Sequence, residues 1–227
     1  MMHFRNTSDC GPTMKRSITT LVSLWGILLL AGSYFVIGYE LTPGESGSIV
    51  PNLPDHPVIN DVDGLPTLLV FAHPKCPCTT ATIRQLERLL AECGAGIATT
   101  VIFLQPADQP EDWSKTPLWD AATQIPSVKV QPDFDGQLAR QLNVYTSGTA
   151  ILFDQSGRSI FQGGITVSRG HEGDNFGADS ILSFVQSGGA LRRSTPVFGC
   201  SLFAHPPEIH TTRQSAESSE RAAGDQL

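Results

Sequence analysis

The 227 residues are enough for one ordinary globular domain with extensions. Apolar residues make up 40% of the chain, sufficient for a core that does not depend on disulfide staples. A formal charge of -7, with no basic stripe interleaved with aromatics, excludes a nucleic-acid-binding role.

The first element in chain order is an apolar segment. No charged residue lies between Ser17 and Tyr39, and Leu21 to Ile37 is interrupted only by small or aromatic residues. About twenty helical residues at ~1.5 Å each cross a ~30 Å hydrocarbon layer. Arg5, Lys15 and Arg16 precede the segment, and Glu40 and Glu45 follow it. The positive-inside rule then leaves residues 1–16 in the cytoplasm, makes 17–39 a signal-anchor, and places the rest outside, in a periplasm-like compartment. Cleavage after Leu30-Ala31-Gly32-Ser33 is the competing reading, disfavoured because the apolar run continues through Ile37. Lipidation is excluded, since serine stands where a lipid-bearing cysteine would be.

Residues 40–63, rich in Pro, Gly, Ser and acidic groups, read as a linker, and 204–227 as a disordered polar tail. Between them, 64–203 alternates strands and helices. Thr67–Phe71 is a continuously apolar run, expected of a strand buried on both faces. Thr79–Glu92 places Ile83, Leu86, Leu89, Leu90 and Cys93 on one helical face, with Thr79 or Thr80 as cap and Gly94 as stop. The remaining expectations are a strand at 97–104, a helix at 113–122, a strand at 128–130 and a short helix at 136–142. A hairpin over 150–154 and 159–163, turning at Gln155–Arg158, and a helix at 180–186 complete the domain.

The chemistry concentrates in the turn His73-Pro74-Lys75-Cys76-Pro77-Cys78. A cysteine at a helix start meets the positive end of the macrodipole and unpaired N–H groups, which favour the nucleophilic thiolate. Lys75 and His73 are expected to add positive potential. Cys76 would attack a substrate disulfide and Cys78 would resolve the mixed disulfide, although the order of attack stays open. One intervening residue closes a smaller ring than two would, which predicts a couple more oxidising than thioredoxin's ~-270 mV. Cys93, on the apolar helix face, reads as core. Cys10 lies before the anchor, apart from the other four cysteines.

These features resemble the thioredoxin-like superfamily. Residues 65–92 are similar to its strand–CxxC–helix unit with one residue removed, and 144–165 to its cis-proline loop and hairpin. More narrowly, HPKCPCT (73–79), TSGTAILFDQSGRSIFQGGIT (146–166), SRGHEGDN (168–175) and TPVFGC (195–200) resemble membrane-anchored RedB-type proteins. The resemblance implies an α/β thioredoxin-like fold, a central mixed sheet flanked by helices, after one transmembrane helix. It also implies thiol–disulfide oxidoreductase chemistry on exported proteins bearing thiols or disulfides, with no cofactor.

Where thioredoxins carry the cis-proline, this chain has Gly148-Thr149. In the family that proline shapes the groove and keeps metal from the cysteines, so its replacement leaves room for copper. The alternative is therefore a Cu(I)-binding or delivery protein with a Sco-like role, in which Cys76 and Cys78 are joined by His171, His73 or Cys200. For Arg169 the expectation is a loop salt bridge to Glu172 or Asp174. A third reading is a non-catalytic adaptor of the same fold. No peroxiredoxin Thr-x-x-Cys, P-loop, dinucleotide fingerprint or His-Glu-x-x-His occurs.

Overall fold

The computed structural model describes residues 12–56, 59 and 64–203, with side chains from Ser17 onward. Residues 1–11 with Cys10, part of the expected linker (57–58 and 60–63) and the tail from 204 lie outside the described residues. The order of elements is α1 (Pro12–Leu41), β1 (Thr67–Ala72), α2 (Thr79–Cys93), β2 (Ala98–Gln105), α3 (Pro117–Gln124) and β3 (Val128–Phe134). There follow α4 (Gln137–Gln141), β4 (Thr149–Phe153), β5 (Ser159–Gly164) and α5 (Phe176–Ser187).

The sheet runs β3-β2-β1-β4-β5, with β1, β2 and β3 parallel and β4 and β5 antiparallel. This mixed sheet between helices is the thioredoxin-like fold that the sequence implies. Strand β1 is buried along its whole length, as its unbroken apolar run requires. Leu68, Val70 and Ala72 belong to one core with Ile83, Leu86 and Leu89 of α2 and Ile181 of α5. Leu69 and Phe71 belong to the opposite core with Leu138, Leu142, Leu202 and Phe203. The two-residue period of the strand therefore feeds both layers.

Several boundaries differ from the periodicity. Helix α3 starts at Pro117, where a proline suits the first turn, and Trp113 falls in the turns before it. Strand β3 continues to Phe134, with Pro132 tolerated because β3 is an edge strand. Helix α5 begins at Phe176 because Asn175 caps it, accepting from the N–H groups of Gly177 and Ala178. Neither Thr79 nor Thr80 caps α2. Cys78 occupies the cap position without a side-chain bond, while Gly94 stops the helix as expected.

Helix α1 contains a 25-residue span, Ser17–Leu41, of mean hydropathy 2.0 with none of its apolar window buried. It has the length and composition of a membrane anchor. The segment read as a linker is laid along the domain from Gly44 to Leu53. The Gly44 N–H donates to the Val197 carbonyl at 2.8 Å, and Leu53 N–H to Gly157 at 2.7 Å. Thr146 Oγ1 donates to the Glu45 carbonyl at 2.8 Å.

Candidate active site: a three-sulfur centre

The turn between β1 and α2 is built from its own backbone. Cys76 N–H donates to the His73 carbonyl and Thr79 N–H to the Cys76 carbonyl, each at 3.1 Å. This winds the chain into the helix with Cys76 tucked beneath it. Cys76 is 1% exposed, whereas Cys78 at the cap and Cys200 are half-buried.

Cys200 arrives from the far end of the domain. Ser147 N–H donates to the Cys200 carbonyl at 2.9 Å, and Leu202 N–H to the Tyr145 carbonyl at 2.8 Å. Gly199 passes so close to Ser147 that a Cβ would collide with the Ser147 carbonyl. Gly148 has φ +92, a conformation that favours glycine, and its N–H donates to the Phe71 carbonyl at 2.7 Å. The two glycines thus let this wall close on the end of β1.

The result is a cluster of three sulfurs. Those of Cys76, Cys78 and Cys200 all lie within 4.8 Å of one another. Cys76 and Cys200 are the tightest pair, with the sulfurs 2.7 Å apart and hydrogen-bonded. Among the described residues no histidine or carboxylate joins this cluster.

The electrostatics divide the sulfurs. Burial works against ionising Cys76, but hydrogen bonds from Cys200 and then Thr79 outweigh it and hold the thiol below its ordinary value. Cys200 is pushed up to about 12 by burial, by its bond to Cys76 and by the neighbouring thiolate charge. Burial and then the Cys76 charge also raise Cys78. Of the three sulfurs, Cys76 is thus the one that ionises first.

The positive charge facing the centre is Arg169, whose guanidinium favours the ionised forms of Cys78 and Cys200. Arg169 Nη1 donates to the Gly199 carbonyl, Nε to Thr42, and the ring of Tyr39 lies 5.0 Å away. The expected pairing with Glu172 or Asp174 is not the one formed. Glu172 meets Arg84 at 3.4 Å and Asp174 meets Arg88 at 3.9 Å.

Lys75 and His73 do not supply the potential expected of them. Lys75 Nζ stands 4.5 Å over the Trp113 ring. His73 packs edge-on to the same ring, and burial followed by the Lys75 charge lowers its pKa, leaving it neutral at pH 7. Its Nδ1 accepts from the Lys75 main-chain N–H, and the His73 main-chain N–H donates to Ser147 Oγ. His171 Nδ1 is engaged by Ser168 Oγ at 3.1 Å and the Arg169 carbonyl at 2.8 Å, away from the sulfurs. Cys93 packs at the margin of the core, raised to about 11 mainly by burial.

Sequence reasoning missed Arg169, Ser147 and Gly199 as site residues. The signal available was Gly199 immediately before Cys200, a residue chosen where two backbones must touch.

No family model matches this chain, and no curated protein does. Solved structures do. An uncharacterised conserved protein from Geobacillus kaustophilus is 21% identical over 73% of this chain and 94% of its own, with a TM-score of 0.53. A hypothetical protein from Sinorhizobium meliloti is 14% identical over 73% and 99%, with a TM-score of 0.51. A secreted Mycobacterium tuberculosis disulfide oxidoreductase superposes more loosely, at a TM-score of 0.38, 16% identity, and coverage of 55% and 82%. These likenesses bear on the fold and not on the chemistry.

Proposed function

We propose that the protein is an extracytoplasmic thiol–disulfide exchange protein, anchored by α1, in which Cys76 and Cys200 form the redox couple. The observation that carries this reading is the 2.7 Å approach of those two sulfurs, closer than non-bonded sulfurs ordinarily come. The Cys76–Cys78 pair expected from the sequence becomes a pair plus an auxiliary thiol.

The chemistry follows from exposure and acidity. In the oxidised form a substrate thiolate attacks the more accessible sulfur, Cys200. The Cys76–Cys200 bond breaks, and Cys76 departs as the thiolate, since the thiol of lower pKa leaves faster. The substrate's second thiolate then attacks its own sulfur in the mixed disulfide, forming the substrate disulfide. Cys200 leaves with that bond's electrons and takes up a proton. A disulfide-bearing partner reoxidises the couple by the reverse sequence. Cys78 is close enough to release a stalled partner by attacking Cys200 in the mixed disulfide. Stabilising the Cys76 thiolate favours the reduced form, giving a couple more oxidising than thioredoxin's ~-270 mV.

Arg169 N–H and Nε also bond Glu40 and Thr42, where α1 leaves its apolar span. Exported partners bearing thiols or disulfides would therefore be met near the membrane surface. Alkylation and peptide mapping of the full chain, equilibrated in graded thiol buffers, tests the reading. A reversible Cys76–Cys200 cross-linked peptide is expected. A Cys76–Cys78 link alone, or thiols that stay reduced throughout, overturns it.

A further inference from the structure

We propose that the reduced centre is also a Cu(I) site, with Cys76, Cys78 and Cys200 as its three ligands. This activity consumes no disulfide and stands apart from the exchange chemistry.

The donor set decides the ligand class. Three sulfurs within 4.8 Å of one another, with no carboxylate or imidazole among the described residues of the cluster, offer nothing to a hard cation. Structural zinc takes four protein ligands, whereas soft thiolates select Cu(I) without needing a fourth. Metal–thiolate bonds of about 2.3 Å in a trigonal plane put the sulfurs roughly 4 Å apart. The Cys76–Cys200 edge, at 2.7 Å, must therefore open. The Ser147–Cys200 hydrogen bond fixes the Cys200 main chain and does not constrain its side-chain torsion.

The charge balance is supported independently. Three thiolates around one Cu(I) carry a net charge of minus two, and Arg169, whose Nη1 bonds the Gly199 carbonyl beside Cys200, offsets part of it. Binding releases the thiol protons to solvent, and the copper keeps its oxidation state. Two-electron oxidation of Cys76 and Cys200 to a disulfide leaves one thiol, so the site exists only in the reduced protein. His171 is not required, because three sulfurs complete a trigonal set and His171 is not part of their cluster.

The test uses the full chain in detergent micelles, reduced and anaerobic, titrated with Cu(I) against a chromophoric Cu(I) chelator. One equivalent per chain is expected, with thiolate-to-copper charge-transfer absorption and an all-sulfur shell of three by X-ray absorption. Cys76→Ser, Cys78→Ser and Cys200→Ser should each weaken binding by roughly tenfold or more. His171→Ala and Cys93→Ser should leave it unchanged. Circular dichroism confirms that each variant is folded. Failure to compete with the chelator, full affinity in Cys200→Ser, a two-sulfur shell, or dependence on His171 each overturns the proposal. Disulfide mapping without copper reads the exchange chemistry separately, so the two readings fail independently.

Discussion

The two segments that supply the sulfurs are built in opposite ways. The turn carrying Cys76 and Cys78 is held by its own neighbours, through hydrogen bonds from Cys76 to His73 and from Thr79 to Cys76. The segment carrying Cys200 has no regular structure and is held by residues distant in sequence, through Ser147, Tyr145 and the bridge between Thr146 and Ser201. The first supplies a buried thiol; the second brings the sulfur whose hydrogen bond lowers its pKa. The acidity of Cys76 is therefore a property of both segments, because the hydrogen bond from Cys200 is the largest influence that lowers it.

That division is most sharply tested by removing one sulfur from each side. Cys76→Ser takes away the favourable leaving group, and exchange with a disulfide-bonded reporter should fall to that of a variant lacking all three cysteines. Cys200→Ser removes the partner and with it the sulfur hydrogen bond that lowers the Cys76 thiol. Its thiolate titration near 240 nm should move to higher pH, and turnover should fall about tenfold or more, because ring closure with Cys76 supplies the effective concentration. If Cys78→Ser instead proves as damaging as Cys200→Ser, the couple lies within the turn and the comparison breaks.

Gly199→Ala acts on the distal segment without touching a sulfur. A Cβ there meets the Ser147 carbonyl, so the segment must shift. About 1–3 kcal/mol of destabilisation is expected, read from the urea midpoint, together with slower closure of the Cys76–Cys200 disulfide. An unchanged closure rate would show that Cys200 is not positioned by this contact.

This asymmetry also explains what was legible in the sequence. The apolar run of β1, the amphipathic face of α2, the hairpin and the thioredoxin-like order all come from local patterns, and the structure contains them. Cys76 and Cys78 stood out for the same reason. The approach of Cys200 arises from the packing of Thr146–Gly148 against the end of β1, and no periodicity encodes that. Lys75 and His73 illustrate the converse. They are adjacent to the cysteines in sequence, yet Trp113 draws both toward its ring, and Arg169 of a distant loop supplies the charge instead.

The pH dependence of the potential separates the two thiols. Below the Cys76 pKa, reduction takes up two protons with two electrons, a slope of about 59 mV per pH unit. Above it Cys76 remains a thiolate and only Cys200 is protonated, so the slope halves to about 30 mV per pH unit. Because Cys76 is lowered from the ordinary thiol value and Cys200 is raised to about 12, the shallow region should begin below pH 9 and persist across the measurable alkaline range. A single steep slope up to pH 9 would mean that the proton is not divided in this way.

Two cations give the smallest effects, and their ranking is the finest test. Arg169→Gln removes the charge that favours ionised Cys78 and Cys200, and should slow exchange by roughly twofold to fivefold, less so at high salt. Lys75→Met removes the cation nearest in sequence, but its ammonium stands over the Trp113 ring. Its rate should therefore stay within about twofold of the parent, with any loss appearing instead as up to about 1 kcal/mol of stability from the cation–π contact. If Lys75→Met slows exchange more than Arg169→Gln does, proximity along the chain outweighs the packed geometry, and the thiolate is tuned by its own turn alone.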